Sequence, residues 1–598
     1  MMTKRGAEPT GDAWITSIGL FVVALAARLL FLYAGPDSAW PYSLNYKGDA
    51  LVWLQSVLAH RAGQPFEAGI PLRPPGMTWL VDWLWDGTPA GVQRLKLVWA
   101  GMGALGVLLL HRALLYPFGR RVAGLAGGLA CLATGGLVLS TSICNESPYL
   151  LVVLSTFVIL PRIRERATPG WLTLFGGLHA LATLLRVEHV LFFALASTCM
   201  ALRWRRDAGG RLAFRSTLTV GAVFVLCLLP WHLSMWAAIE RLNTGQQSRD
   251  PVSERALAAV EARTDHIVWQ PAARTAVQSL PAFLQRSACT FITATVQHRG
   301  GGVVGPEDAA IVEEAFGSWP EPLDAHPFVA SYGPLNFYLA NNALATPGFS
   351  RAGLERAPAL AGGAQRYPAD LVGGMPPRRL SLEYPPHLAI FNHGYALGLR
   401  WIIEAPGDWA RLVAAKLRIF WAGASLGYTG NGLPVGPSGV RRSVDMVVPQ
   451  GTLSSLWRWL NLIVCTAGVL AVLSGRERVP SWKGADLLPW MLYGGSKLVI
   501  AATFFGYARQ GALILPVVHT LWALAIVRWV VPSLRVHALR LGLALLAAGL
   551  GFEVWRAAVG VHARIDGVPV LEQDPVPVDV HAQRDVRFGS GRTVAGPR

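Results

Sequence analysis

The sequence predicts an all-α protein that crosses a membrane many times. Of its 598 residues, 52% are hydrophobic and only 15% are charged, a balance that ordinary soluble domains do not have. The apolar residues are gathered into about eleven runs, several of them close to the roughly 20 residues that a helix needs to cross a bilayer. We therefore expect a polytopic membrane protein with about eleven transmembrane helices.

The charge pattern orients these helices and excludes one class of partner. The net charge is +17, but the basic residues fall in short loops between apolar runs, where they favour the cytoplasmic side. Nucleic acid is therefore not an expected partner. Arginines cluster at 162–166 and 203–215, whereas the turn at 141–148 has neither Lys nor Arg. This alternation places the loop at 35–93, Glu146 and the turn at 186–189 together on the outer face.

The order of the apolar runs divides the chain into four parts. The predicted spans are 14–34, 95–115, 122–140, 149–160, 171–185, 190–202, 218–238, 456–473, 487–505, 511–530 and 538–555. The stretch between the seventh and eighth spans is rich in Gly and Pro and has no clear span. We predict a transmembrane module at 1–239, a partly helical outer (periplasmic) cap at 240–453, C-terminal transmembrane helices at 454–556 and a disordered outer tail at 557–598.

Within the cap, the hydrophobic pattern predicts local structure. Helices are expected at 253–263, 281–296 and 387–404, whereas 300–305 and 347–377 are expected to be irregular. The run at 409–421 is amphipathic and carries three basic residues, which favours a helix lying in the membrane interface over a short span.

The first outer loop contains an isolated carboxylate and a rigid turn. Asp49 follows Gly48, an amphipathic run covers 51–58, and the sequence Arg73-Pro74-Pro75-Gly76 leads back to the membrane. Taken alone, the position of Asp49 suits the N-cap of a helix that starts at Ala50. The loop as a whole resembles the first outer loop of the glycosyltransferase C (GT-C) superfamily, in the bacterial branch related to protein O-mannosyltransferases and aminoarabinose transferases. That branch usually has Asp-Glu where this chain has Asp49-Ala50.

Other stretches share the resemblance. They include residues 338–342, the proline-led helix at 405–421, an arginine at the bend after 181–185, and a late basic turn at 504–510 whose usual core sequence is altered here. The resemblance implies a GT-C bundle of about eleven helices in a bacterial-type cytoplasmic (inner) membrane. It also implies inverting transfer of a sugar from a polyprenyl-phosphate donor to an acceptor hydroxyl on the outer face. The acceptor class, whether glycan, lipid or protein, stays open.

This chemistry needs a base for the hydroxyl proton and cations for the departing phosphate. The resemblance makes Asp49 the candidate base and Arg186 the leading phosphate partner. Further phosphate candidates are Arg73, Arg509 and Lys47, although Lys47 could equally be an interface charge and Arg509 a solvated turn residue.

The two outer turns after the first loop carry the supporting candidates. Glu146 either starts a helix, where a carboxylate is favoured by the helix dipole, or faces the active cavity. In the turn at 186–189, Arg186, Glu188 and His189 are expensive near a membrane unless they are paired or bind a ligand. A basic pocket for a lipid phosphate and an internal Arg186–Glu188 ion pair are both compatible with this turn.

Three candidate acceptor contacts lie in the cap: Tyr384, His387 and His393. The sequence alone favours packing of the turn for Tyr384 and His387 over an acceptor contact. No cofactor motif and no metal-ligand spacing is present, so no cofactor is expected, and a divalent metal is neither required nor excluded. Arg28, in the first span, is expected to extend to the lipid headgroups, with a carrier-phosphate contact as the alternative.

Two other function classes fit parts of the pattern. A transporter or flippase of lipid-linked sugars would share the many spans and the outer arginines, but repeated halves with broken helices are expected for it, and the sequence shows none. A non-catalytic membrane partner would need none of the outer polar residues. Within the enzyme class, a polymer ligase of the same superfamily stays open.

Overall fold

The computed structural model of the chain describes residues 11–33, 49–62, 72–165, 167–247, 253–261, 267–280, 285, 288–289, 292, 302–308, 323–324, 329–348, 350, 352–355, 385–424, 452–475, 487–506 and 508–530. Helices make up most of them. The N-terminal half contains α1 (Gly11–Tyr33), α2 (Asp49–Arg61), α3 (Gly76–Leu84), α4 (Pro89–Leu132), α5 (Thr134–Thr141), α6 (Glu146–Glu165), α7 (Pro169–Leu185), α8 (His189–Ala208) and α9 (Gly210–Gln247).

The remaining elements are shorter on average and include the strands. They are α10 (Glu254–Glu261), β1 (Ile267–Trp269), α11 (Pro271–Ser279), β2 (Gly302–Val304), α12 (Gly333–Ala340), α13 (Ala352–Glu355), α14 (Pro385–Glu404), α15 (Pro406–Ala424), α16 (Thr452–Gly475), α17 (Leu488–Thr503), α18 (Ala508–Ala512) and α19 (Leu515–Ala525), followed by a π-helical turn at Ile526–Val530.

Four helices among the described residues are long and apolar enough to cross a membrane, judged by length and composition. Their apolar stretches are Ala13–Leu30, Ala90–Leu132, Glu146–Glu165 and Gly210–Thr244. Three shorter apolar helices accompany them, at Pro169–Leu185, Arg458–Ser474 and Leu515–Trp529. These helices are those of a membrane protein. The predicted number of eleven spans stays a prediction, because the last predicted span, 538–555, lies outside the described residues.

The bounds of several spans differ from those predicted. The span expected at 95–115 falls within α4, whereas the one expected at 122–140 is divided between the end of α4 and α5. Helix α4 changes direction at Gly119. This residue follows Pro117 by two positions and has φ +79°, a conformation that glycine adopts without strain. The helix then ends at Leu132, one residue before the extended Ala133. By contrast, α7 ends at Leu185 as predicted.

The prediction of an all-α protein is wrong in one place. Strands β1 and β2 pair in parallel, with Ile267 opposite Gly302 and Trp269 opposite Val304. Residues 300–305 had been expected to be irregular because of their glycines. The β-branched residues Val303 and Val304 favour a strand once a partner is present, and β1 supplies that partner.

The chain forms two compact units. The first contains the described residues of Met1–Ala62, Pro74–Leu229 and Val413–Val578, and the second those of Gly63–Arg73, Pro230–Leu412 and Asp579–Arg598. The predicted division at 239, 453 and 556 stays a prediction.

The first unit is a helical bundle in which α4 has a central place. It packs against α1, α6 and α19, and α19 packs in turn against α16. Small residues allow two pairs of helices in this unit to approach closely, as is usual in membrane bundles. A Cβ on Gly468 of α16 would collide with the backbone carbonyl of Leu521 on α19, and one on Gly176 of α7 would lie 2.8 Å from the carbonyl oxygen of Val220 on α9.

The second unit has its own apolar cores. One consists of Ile239, Leu323, Leu388 and Phe391, with Leu72 and Leu242 packed beside it. Another surrounds the strands and includes Leu257, Ile267, Trp269 and Val304. Helices α12 and α14 pack against each other within this unit. The cap predicted from the sequence therefore contains a genuine folded core, although its placement outside the membrane stays a prediction.

The contact between α16 and α19 leads to a stability prediction. Gly468→Ala forces the two backbones apart, and overpacking of this kind destabilises a protein by typically 1–3 kcal/mol. We expect a lower midpoint of thermal unfolding in detergent. Gly495→Ala is the matched control, because a Cβ at Gly495 on α17 meets nothing within 4 Å. Equal midpoints for the two variants would contradict the close contact.

Candidate active site

The turn between α7 and α8 directs charged side chains into the bundle. α7 has 17 residues, about 25 Å of helix, and ends just before Arg186. The amide of Arg186 still donates to the carbonyl of Ala182 at 2.9 Å, and α8 restarts at His189, whose amide donates to the carbonyl of Arg186 at 3.0 Å. The predicted break at 186–189 is therefore present.

Arg186 joins this turn to the start of α6. Its Nη1 donates to Oε1 of Glu146 at 2.7 Å and to Oδ1 of Asn145 at 2.9 Å, while its Nε donates to Oε1 of Glu188 at 2.5 Å. The side chain of Glu146 is fully buried, and those of Arg186 and Glu188 are 7% and 14% exposed. The ion pair between Arg186 and Glu188, which the sequence left open, forms, and Glu146 extends it.

These contacts keep the side chains of Arg186 and Glu188 ionised. Burial alone would raise the pKa of Glu188, but the positive charges of Arg186 and Lys497 outweigh it and lower that pKa to about 2. Burial would likewise lower the pKa of Arg186, but the carboxylates of Glu188 and Glu146 outweigh it and raise that pKa above its usual range. Both side chains are therefore charged at neutral pH.

Two more cations complete what we call the charged cluster: Glu146, Arg186, Glu188, Lys497 and Arg509. Lys497 Nζ lies 3.7 Å from Oε1 of Glu188, and Arg509 Nε lies 3.6 Å from Oε1 of Glu146. Lys497 Nζ also lies 4.5 Å from the ring centre of Tyr149 and is buried without a hydrogen bond. Three cations and two carboxylates leave the cluster with one net positive charge.

Lys497 did not stand out in the sequence, although a signal for it existed. It lies in the predicted span at 487–505, and a lysine inside an apolar span is rare and usually functional. The sequence does not say which neighbouring helix such a residue faces. Only the packing of α17 beside α8 brings Lys497 to Glu188.

A chain of hydrogen bonds supports the cluster from within the bundle. Tyr149 Oη lies 2.8 Å from Nδ1 of His189, and Nε2 of His189 lies 2.8 Å from Nδ1 of His179. All three side chains are buried. His189, predicted as a supporting residue, therefore positions the ring of Tyr149, which Lys497 contacts. Tyr149 and His179 lie in predicted spans and were not recognised as site residues.

The rigid turn of the first loop packs against the last two residues of α7, which precede Arg186 in the chain. At Gly76, the first residue of α3, an added Cβ would lie 2.7 Å from the carbonyl oxygen of Leu184 and 3.1 Å from the amide nitrogen of Leu185. Only glycine allows the Pro-Pro-Gly turn to approach the end of α7 this closely. The predicted return of the loop thus ends one residue away from the charged cluster.

The start of the first loop is tied to the same place through α2. This helix begins at Asp49 and packs against α3. Oγ of Ser56 and Oγ1 of Thr78 are 3.0 Å apart, and Nε of Arg61 donates to Oδ1 of Asp82 at 2.6 Å. The helix that starts at the candidate base is therefore fixed to the helix that contacts the end of α7. The side chain of Asp49 lies outside what the structure describes.

The other predicted site residues lie either outside the described residues or in the second unit. Lys47 and Tyr384 lie outside the described residues. Arg73 is partly buried in the second unit, and His393 is exposed there. His387 is buried, with Nε2 lying 3.0 Å from the carbonyl oxygen of Leu354, and burial lowers its pKa to about 4. A neutral His387 in this contact fits the packing role, while the acceptor roles of these residues stay predictions.

Metal ligands are a further question for the site. Within the part of the chain that the structure describes, no three His, Cys, Asp or Glu side chains are grouped as a metal site. The expectation that the protein uses no cofactor stays a prediction.

Comparison with known proteins gives structural likenesses only. No family model and no curated protein matches the sequence. The fold is similar to the archaeal oligosaccharyltransferase AglB from Archaeoglobus fulgidus in complex with an inhibitory peptide and a dolichol-phosphate, at 13% identity and a TM-score of 0.41, over 91% of this chain and 56% of that chain. The apo form of the A. fulgidus oligosaccharyltransferase gives 12% identity, a TM-score of 0.42 and coverages of 91% and 56%.

ArnT from Cupriavidus metallidurans, in the apo state, is similar at 14% identity and a TM-score of 0.30, over 87% of this chain and 78% of that chain. The chain spans little more than half the length of the oligosaccharyltransferase. These likenesses are weak, because every identity is below 15% and every TM-score is below 0.5. At these values they concern the fold alone, and the chemistry of the site rests on its own geometry.

The buried ion pairs lead to a second stability prediction. Arg186→Met leaves two buried carboxylates without their main partner, and breaking a buried pair in this way destabilises by roughly 3–5 kcal/mol. Arg186→Lys keeps a positive charge beside both carboxylates, so we expect it to be more stable than Arg186→Met. Thermal unfolding in detergent measures the order.

The control for this experiment is Arg94→Met. Arg94 pairs with Asp86, but both side chains are exposed, and exposed pairs contribute about 0–1 kcal/mol. Equal unfolding midpoints for Arg186→Met and Arg94→Met would show that the cluster is not the buried network described above.

The glycine contact leads to a third prediction. Gly76→Ala pushes α3 away from the carbonyl of Leu184, so the first loop loses its position beside the charged cluster. We expect accelerated proteolysis of the loop in detergent-solubilised protein. Gly177→Ala, on α7, is the control because an added Cβ there meets nothing within 4 Å. A loop cut at the same rate in both variants would refute this positioning.

Proposed function

We propose that this chain is an integral-membrane glycosyltransferase that moves a sugar from a polyprenyl-phosphate-linked donor to an acceptor hydroxyl. The observation that carries the proposal is the charged cluster, a buried group of three cations and two carboxylates beside the first loop. Its net positive charge suits an anionic ligand, because buried charge is stable only when it is balanced.

The phosphate of such a donor is the chemical group that this charge fits. In the transfer the phosphate is the leaving group, so negative charge grows on its oxygens as the sugar departs. Cations held in a buried site stabilise that charge more strongly than they would in water. Arginine and lysine are the side chains that bind phosphate, arginine in a fork and lysine as a point charge.

The cations have different roles in the proposal. Arg186, which the sequence suggested as the leading phosphate partner, uses Nε and Nη1 on Glu188, Glu146 and Asn145, so we assign it mainly to holding the carboxylates. Lys497 Nζ makes no hydrogen bond and has three donors to offer. We therefore assign the leading phosphate contact to Lys497, with Arg509 beside it.

The first loop supplies the remaining chemistry. Asp49 acts as the base that takes the proton of the acceptor hydroxyl, whose oxygen attacks the anomeric carbon on the side opposite the phosphate. The carbon–phosphate oxygen bond breaks, and the sugar is transferred with inversion. Lys47 and Arg73 contribute positive charge to the loop, and Tyr384, His387 and His393 are candidate acceptor contacts. The reaction takes place on the outer face of a bacterial-type cytoplasmic membrane, without a cofactor.

Genetic complementation tests the function. In source cells that lack this chain, mass spectrometry of envelope lipids, glycans and proteins should reveal one molecule that has lost the mass of a sugar. The unmodified chain and the surface variant Arg94→Met should restore it. Asp49→Asn, at the same membrane level, should not, because loss of a general base lowers a rate by about 10²–10⁴-fold. The molecule that loses the sugar identifies the acceptor.

The result for Asp49→Asn separates the alternatives. If this variant restores the sugar as well as the unmodified chain does, Asp49 is not the base and a transporter of lipid-linked sugars becomes the better explanation. If the missing mass is a polymer rather than one sugar unit, the chain is a polymer ligase of the same superfamily.

A fourth prediction concerns Lys497. In purified protein, Lys497→Met should lower the rate at which polyprenyl phosphate is released from the donor by about 10²-fold, in the range found when one charge-stabilising donor is removed. Lys497→Arg keeps the positive charge and should retain more activity. If Lys497→Met has the same unfolding midpoint as the unmodified protein and reacts within twofold of its rate, Lys497 does not contact the phosphate.

A further inference from the structure

A second buried polar site lies in the first unit, in a cavity of about 70 Å³ between α1, α4, α5, α6 and α19. Most of its lining is apolar. Two basic side chains reach it: Arg28 of α1, which is 3% exposed, and His519 of α19, which is 2% exposed. The expectation that Arg28 extends to the headgroups is therefore wrong, because the side chain packs inside the bundle.

The hydrogen bonds of Arg28 do not balance its charge. Nη1 donates to the carbonyl of Ala24, one turn earlier in the same helix, at 2.9 Å, and Nε is buried without a partner. No described carboxylate forms an ion pair with it. Arginine stays protonated in proteins, so this positive charge cannot be relieved by loss of a proton, and a buried charge without a counterion is strongly unfavourable.

His519 adds to the imbalance. Both of its ring nitrogens are buried without a hydrogen-bond partner, although a neutral imidazole has one donor and one acceptor to satisfy. The two serines of the lining do not serve it. Ser140 and Ser147 donate their hydroxyl protons to the carbonyls of Gly136 and Leu139, at 2.6 and 2.9 Å. The available donors at the cavity thus come from Arg28 and His519.

Gly103 makes room for the guanidinium, because a Cβ there would lie 2.7 Å from Nε of Arg28. A Cβ on Gly136 would lie at an ordinary contact distance, 3.8 Å from Nη2. Gly106 also lines the cavity, and a Cβ there would meet only Cδ1 of Leu154, at 3.8 Å. The arginine is therefore fitted into the bundle, and the space in front of it has not been closed by larger side chains.

We propose that this cavity binds a phosphate group, with Arg28 and His519 as its hydrogen-bond donors. One water needs roughly 10–15 Å³ of such a cavity, so the space suits a group several times larger than water. The negative charge balances Arg28, and the phosphate oxygens satisfy the donors of both side chains. The apolar walls fit the chain of a phosphate-headed lipid. Free phosphate offers the same oxygens, so the two sources require separate tests.

This site shares no residue with the charged cluster and does not depend on the proposed transferase activity. The two sites can be separated by substitution. Arg28→Gln and His519→Phe alter the cavity, whereas Lys497→Met alters the cluster. A phosphate bound in the cavity is lost with the first two and kept with the third.

Native mass spectrometry of the purified full chain in detergent is the test, with dodecyl phosphate, inorganic phosphate and the neutral dodecanol as probes. We expect Arg28→Gln to lower the affinity for one of the bound dodecyl phosphates by about 10- to 100-fold, the range for a charged hydrogen bond. Competition by inorganic phosphate at similar concentration assigns the site to free phosphate. Its failure to compete assigns the site to the lipid.

A second pair of variants leaves every charge in place. Gly106→Leu fills the cavity and should abolish the Arg28-dependent binding, whereas Gly101→Leu, on the same helix but with nothing within 4 Å of its Cβ, should not. The proposal is overturned if dodecanol binds as tightly as dodecyl phosphate. It is also overturned if Gly106→Leu and folded Arg28→Gln bind like the unmodified protein, or if Lys497→Met alone removes the binding.

Discussion

The buried contact of Arg186 with Glu146 and Glu188 is the constraint on which the rest of the candidate site depends. None of these charges is tolerated alone in an apolar bundle, so the start of α6 and the turn between α7 and α8 must stay together. The end of α7 is then fixed, and Asn145 Nδ2 donates to the carbonyl of Leu185 at 3.3 Å. The first loop packs at Gly76 on this same short segment of backbone.

The same constraint separates residues that look equivalent in the sequence. Arg186 and Arg509 both follow apolar runs and both suit a phosphate. Because Arg186 is committed to two carboxylates, it organises the cluster, and the positive charge in excess of those carboxylates belongs to Lys497 and Arg509. A basic pocket and an internal ion pair had been alternatives for the turn at 186–189. The ion pair is present, and its carboxylates have Lys497 and Arg509 as further neighbours. The basic pocket for a lipid phosphate stays a prediction.

What the sequence predicted well was local. The end of α7 at Leu185 and the pairing of Arg186 with Glu188 follow from the length of one apolar run and from two residues in one turn. Lys497 and the hydrogen bonds between Tyr149, His189 and His179 depend on which faces of distant helices meet, and apolar periodicity does not encode that in a helix that is apolar all round. The inward position of Arg28 and the pairing of β1 with β2 were also missed, because each depends on which distant segments of the chain meet.

Charge balance links the cluster to Asp49 in the proposed reaction. A sugar phosphodiester brings one negative charge to a cluster with one positive charge, and the released phosphate monoester carries nearly two. The extra negative charge appears as the acceptor hydroxyl loses its proton. If Asp49 takes that proton, the carboxylate becomes neutral as the phosphate gains charge, so the total charge of the buried site is unchanged. The proposed reaction therefore needs both a base in the loop and a cluster with a single excess cation, because net charge cannot accumulate in a site of low dielectric constant.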